Sequence, residues 1–244
     1  MVPVCQADTG ETPSLPMMAV DYQSVSAAVE PTGMVVRGGF AVDPDDASLP
    51  SVPCLADGTA CRTVLVIGNV GGGMWPAFRR EETAGSDPLD RWTRARLQPI
   101  ADRLGATFVH PSDRPFQPFQ RWAQRADDVW PSPIGLLVHR SFGLWHAYRG
   151  AFLFADDVSG IPPVGVTTSP CLTCRDQPCL TTCPVDAFTP GGYDSMACAR
   201  HVRSGRDPAC LSDGCAARCA CPVGVDDRYE PDQMRFHMQA FVGS

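Results

Sequence analysis

The sequence predicts two folded parts, an α+β domain followed by a small cysteine-rich domain. Apolar β-branched runs alternate with amphipathic helical stretches through the first two thirds of the chain, the pattern of a layered α/β or α+β domain. Cysteine usage is skewed: of twelve, Cys5, Cys54 and Cys61 lie in the first 170 residues and nine fall between Cys171 and Cys221. Between the two regions runs SGIPPVGVTTSP, whose prolines, glycines and small polar residues disfavour both helix and ladder pairing. The boundary is expected near residue 165, giving a loose tail over 1–16, a domain over 17–165 and a second over 166–244.

The first domain is read in chain order. RTVLVIGNVGGG is a buried β-branched strand running into a glycine turn. The turn lacks the GxGxxG spacing of a dinucleotide site and reads as a plain tight turn. SDPLDRWTRARLQPIADRLG is a helix, capped by Ser86 or Asp87 with Pro88 in its first turn. Leu89, Trp92, Leu97, Ile100 and Leu104 lie largely on one face, and Gly105 stops it. ATFVH is a strand and PFQRWAQRADDV a short helix. GLLVH and YRGAFLF are two further strands joined by RSFGLW.

Composition narrows the chemistry. A chain of 244 residues with net charge −7 has no broad basic face for phosphate backbones or anionic lipid, which argues against nucleic acid as a partner. All twenty basic residues are arginine, which removes Schiff-base chemistry and the lysine of a P-loop together. No stretch reaches the ~18 apolar residues of a membrane span, and the start has no export signal, so a cytoplasmic protein is expected. In that compartment thiols stay reduced, and the cysteines read as ligands or redox groups rather than as a disulfide framework.

CLTCRDQPCLTTCP, residues 171–184, sharpens this. Zinc would take CxxC pairs, but nothing in its chemistry asks for proline behind the last cysteine. A two-cluster ferredoxin segment does: three close cysteines wrap one cube and a fourth, before proline, turns away to the neighbouring cube. The usual two-residue gap between the second and third ligand is four here, Arg175 to Pro178, so the loop must bulge. CACPVG supplies the returning cysteine, Cys221 before Pro222. The simplest assignment gives two [4Fe-4S] clusters, one on Cys171, Cys174, Cys179 and Cys221, the other on Cys183, Cys198, Cys210 and Cys215. Cys219 is then spare, although the choice between Cys210 and Cys219 stays open. Asp194 caps a short helix carrying Cys198, and YEPDQMRFHMQAFVGS forms a closing helix with Met234, Met238 and Phe241 on one face.

GLLVHRSFGLWHAYRGAFLF is the densest aromatic stretch before the linker. Most aromatics there would be core, yet their concentration makes a plausible wall for a large planar ligand. Here VHRSFGLWHAYRGAFLF followed by DDVSGIPP resembles the CblC-type (MMACHC-like) cobalamin-processing proteins, and DPLDRW resembles an earlier helix start of that family. The resemblance covers about residues 60–165 and implies a nitroreductase-like, CblC-like α+β domain that binds corrin. It implies that His139 lines the corrin, Trp145, Tyr148 and Phe142 pack on it, and Arg149 holds a polar edge. The animal members lack a ferredoxin segment. A CblC-like domain ahead of a two-cluster segment is also similar to the epoxyqueuosine reductases, whose catalytic signatures this chain does not show.

The expected function is therefore electron transfer through two [4Fe-4S] clusters to a bound cobalamin or other corrinoid, with an electron donor protein as partner. Two other readings compete: a ferredoxin-type carrier whose first domain docks partners, and a reductase of a modified nucleoside.

Overall fold

The computed structural model describes residues 20–81, 85–165, 167–189 and 191–243. The predicted tail over 1–16 lies outside the described residues. The protein is α+β, and the chain divides into two compact units. One holds the residues up to Asn69, Ala77–Asp127 and Ala147–Gly165. The other holds Val70–Pro76, Asp128–His146 and the chain beyond Gly165.

The first unit is built on a four-stranded sheet. Its strands are β1 (Val35–Ala41), β2 (Thr63–Val70), β3 (Thr107–Val109) and the long β6 (His146–Phe154), in the order β1-β2-β6-β3. β2 is buried along almost its whole length, as its β-branched-rich apolar run Val64–Ile67 requires when both faces are covered. β1 pairs with it antiparallel, Phe40 opposite Val64, and β3 pairs antiparallel with β6, Phe108 opposite Phe152. Helices α1 (Tyr22–Val29), α2 (Trp75–Glu81), α3 (Pro88–Arg103) and α4 (Phe119–Ala126) complete the elements up to residue 126. α1 opens on a capping box, the Ser24 amide donating to Asp21 Oδ1 at 2.6 Å. α3 buries Leu89, Trp92, Leu97 and Ile100 as the periodicity requires. Its start is as expected, with Asp87 at the cap position, although at φ +48° it makes no side-chain cap bond. Proline at the next position supplies the first-turn geometry instead.

The core of this unit gathers Phe40, Val64, Val66, Val109, Leu153 and Trp122. Trp122 is fully buried and its indole donates to the Ser51 carbonyl at 3.0 Å, so the ring is buried without a lost hydrogen bond. Beside it lies a buried ion pair, Arg37 to Asp127 at 2.7 Å, with side chains 3% and 9% exposed. The Tyr148 hydroxyl donates to the same carboxylate at 2.7 Å.

GLLVH and YRGAFLF both carry strands, as read, and the two strands lie in different sheets. β5 (Leu137–His139) pairs with β4 (Val129–Pro131) in a separate two-stranded ribbon, while YRGAFLF falls within β6. The chain reverses within RSFGLW through a single bridge, His139 opposite Gly143, and leaves at once for the other sheet.

In the second unit the remaining elements are short: α5 (Pro178–Thr181), the hairpin β7 (Phe188–Thr189) and β8 (Gly192–Tyr193), α6 (Ser195–Ser204), α7 (Ala209–Ser212), α8 (Ala216–Cys219) and α9 (Pro231–Gly243). α9 packs on α6 and α7. Two turns meet back to back here. A Cβ on Gly143, at φ +56°, would lie 1.9 Å from the Val223 carbonyl oxygen, and one on Gly224, at φ +68°, would lie 2.2 Å from the Phe142 carbonyl carbon. Only backbone movement could open either space. Gly143→Ala is therefore expected to cost more than the roughly 1–2 kcal/mol of left-handed alanine alone. A urea midpoint equal to wild type would show that the turn yields.

Candidate metal centre

Among the described residues, Cys61 and the nine cysteines from Cys171 to Cys221 are free thiols, whereas Cys54 is disulfide-bonded. Nine of the ten free thiols lie in the second unit, on turns and short helices whose start signals are local. The Ser169 hydroxyl accepts the Cys171 amide at 3.3 Å and opens a 3-10 turn over Pro170–Leu172, with Cys174 just beyond. The four-residue gap that follows is taken up by Gln177, held at φ +38°, and by Pro178 starting α5, which carries Cys179.

Cys183 ends that run and accepts the Ala187 amide at 3.4 Å. Asp194 caps α6 through the Ala197 amide at 2.8 Å and so orients Cys198. Cys210 sits on α7, and Cys215 is the residue immediately ahead of α8.

The thiols sort by which neighbours act on them. Burial pushes Cys171 up, and Cys221 and Cys174 add to it. Burial likewise raises Cys179, followed by Cys221, Cys171 and Cys174. Cys221 is raised by burial and by Cys174. Cys215 is raised by burial, is lowered by the Arg218 and Ala217 amides, and feels Cys198 and Cys183. Cys210 is pushed up to about 11, first by burial, then by the Asp207 carboxylate, and further by Cys215 and Cys198. Two sets result, Cys171, Cys174, Cys179 and Cys221 in one, Cys183, Cys198, Cys210 and Cys215 in the other. The members of the second set line one cavity together with His201 and Met238.

Cys219 faces elsewhere. Its thiol lies 3.6 Å from the Asp213 carbonyl and 4.0 Å from Met234 Sδ, and the charges acting on it are Arg228, Arg218 and Asp213. An apolar shell of Ile134, Val138, Leu144 and Ala217 is continuous with Cys171, Cys179, Cys183, Cys215 and Cys221. Two residues that the sequence reading passed over, His201 and Asp207, stand at the Cys210 corner. The signal was present: His201 follows Cys198 by three positions on α6, and residues so spaced share a helix face.

The five aromatic-segment residues are divided between the two units. His139 accepts the Ser141 and Phe142 amides at its Nδ1, 2.9 and 3.1 Å, and stacks on Phe142 with ring centroids 4.2 Å apart. Trp145 is fully buried against Tyr229, under the Arg218 guanidinium, and its indole N–H has no hydrogen-bond partner. These three belong to the second unit and Tyr148 and Arg149 to the first. As neighbours on β6, Tyr148 and Arg149 point to opposite faces. Tyr148 binds Asp127, and Arg149 Nε donates to Asn69 Oδ1 at 3.1 Å.

Fold and site together give an α+β protein with nine free cysteines gathered in its carboxy-terminal part. No protein-family model matches the chain, and no curated protein matches it. Among solved structures it is similar to a B12-trafficking protein CblC of C. elegans, described as a human MMACHC homologue. The two are 15% identical with a TM-score of 0.49, over 90% of this chain and 95% of that one. It is also similar to the epoxyqueuosine reductase of Bacillus subtilis, 13% identical with a TM-score of 0.45, over 70% of this chain and 50% of that one. A third is an epoxyqueuosine reductase solved with an epoxyqueuosine-modified tRNA-Tyr stem loop, 11% identical with a TM-score of 0.43 and the same shares. The chain spans about half the length of those reductases. No helix among the described residues is long and apolar enough to cross a membrane.

Proposed function

We propose that this chain is an iron-sulfur redox protein in which each four-thiol set holds a [4Fe-4S] cluster and the pair passes electrons to a corrinoid held by the segment upstream of the cysteines. The observation that carries the cluster reading is the exchange of the two Cys-Pro cysteines. Cys183 lines one cavity with Cys198, Cys210 and Cys215, and Cys221 packs in the apolar cluster that Cys171 and Cys179 adjoin and acts on both thiols, which supports the crossing that two neighbouring cubes require. The donor chemistry fits, because soft thiolates in an apolar shell favour iron-sulfur ligation. When bound, each cluster takes up and releases one electron.

What the chain itself contributes is the setting of that electron. Amide N–H groups aimed at Cys183 and Cys215 stabilise negative charge on sulfur, and Ile134, Val138 and Leu144 restrict water. The corrinoid arm draws on the resemblance of residues 138–154. It also draws on two buried groups beside the Gly71–Gly73 turn, the unpaired Trp145 indole and the Gln233 amide, both of whose polar atoms lack partners. The Gly71 amide donates to the Trp145 carbonyl at 2.7 Å, and a Cβ at Gly72 would lie 3.6 Å from Gln233 Oε1. An amide-fringed macrocycle offers both donors and acceptors for such groups. Tyr148 and Arg149, engaged by Asp127 and Asn69, have no part in this arm.

Oxygen-free purification with iron, sulfide and zinc analysis tests the cluster reading, the expected result being about eight irons and about eight sulfides per chain. A colourless, metal-poor or zinc-loaded protein would overturn it. Titration with cobalamin, followed by its visible bands, tests the corrinoid arm. Clusters without corrin binding would favour the carrier with a partner-docking domain.

A further inference from the structure

The second thiol set has more donors around it than a cube needs. A His201 ring nitrogen, an Asp207 carboxylate oxygen and Cys210 Sγ all lie within 4.8 Å of one another. His201 Nε2 is buried without a hydrogen-bond partner and stands 4.0 Å from Asp207 Oδ2. The Cys210 thiol donates to that same oxygen at 3.7 Å. His201 lines the cavity that Cys183, Cys198, Cys210 and Cys215 also line, three positions after Cys198 on α6. An imidazole nitrogen is an iron ligand in its own right, and a buried one without a partner carries a desolvation cost that a metal bond would remove.

We propose that His201 is a fifth donor of the second site, placed to occupy the iron coordination position of Cys210. This rests on the two-cluster reading above and adds to it a mixed thiolate and imidazole corner. With a cluster bound, a His201 ring nitrogen would take the iron position that Cys210 Sγ gives up; the released thiolate would take one proton from solvent and, as a thiol, keep its hydrogen bond to Asp207, with no change of oxidation state. Replacing one thiolate by neutral imidazole makes the site one unit less negative, the direction that raises a cluster's potential. Asp207 is then a positioning residue, holding the displaced thiol away from the metal.

The test uses the full chain, reconstituted without oxygen with ferrous iron and sulfide. Iron and sulfide are counted, and the reduced protein is examined by pulsed electron paramagnetic resonance for coupling to nitrogen. Cys210→Ala is expected to keep the wild-type iron content and to gain a strong nitrogen coupling. Cys210→Ala with His201→Ala should fall to half the iron with no such coupling. His201→Ala alone should retain the full complement, which separates loss of a ligand from loss of the fold. Cys183→Ala, which leaves the His201, Asp207 and Cys210 group intact, should halve the iron and calibrate loss of the second cluster. Half the iron in Cys210→Ala without nitrogen coupling overturns the inference, as does a double variant that keeps both clusters. Wild type devoid of iron would sink the two-cluster reading first, and the inference with it.

Discussion

Cys221→Ala is expected to hold about half the wild-type iron and sulfide, about four irons per chain instead of about eight. Cys221 is buried, and its neighbours are thiols that precede it by more than forty positions, Cys171, Cys174 and Cys179. Removing it leaves the first set with three donors and an open corner facing Ile134, Val138 and Leu144, which offer nothing to a metal. Cys219→Ala, only two positions away, is expected to leave both counts unchanged, because Cys219 faces Asp213, Met234, Arg218 and Arg228. Matching losses in the two variants would show that proximity in sequence, not the set each thiol belongs to, decides the count.

Asp127→Ala is expected to destabilise the first unit by about 3–5 kcal/mol, the usual result of leaving one partner of a buried pair uncompensated. Arg37 lies 2.7 Å from this carboxylate with 3% of its side chain exposed, and the Tyr148 hydroxyl shares the acceptor. At this chain length that loss lowers Tm by roughly 6–20 °C. Removing both charges with apolar residues of similar size, Arg37→Met with Asp127→Leu, should cost less than the single change, because no charge is then stranded. A single variant melting with wild type would mean that water reaches Arg37.

Much of the first unit was legible because its signals are local. β2 and α3 followed from a β-branched-rich apolar run and from apolar spacing, which survive in almost any tertiary setting. Less legible were α1, β1 and α2, where short elements in mixed sequence depend on packing for their stability. GLLVH and YRGAFLF carry strands as read, but their partners were not legible, because a strand's partner is set by the sheet it enters, not by its own alternation. The partners of Tyr148 and Arg149 were not legible either: strand alternation turns the one to Asp127 and the other to Asn69, and neither partner is near in sequence.

By itself the sequence determined the thiols, their spacing and the two prolines behind Cys183 and Cys221, because residue chemistry and proline-restricted turns are properties of a few adjacent residues. Only the tertiary structure decided that Cys179 and Cys221 share surroundings, that Cys219 looks away from both sets, and that His201 stands beside Cys210. Those meetings are fixed by how short helices bury a common apolar shell, and burial joins residues that no local period connects.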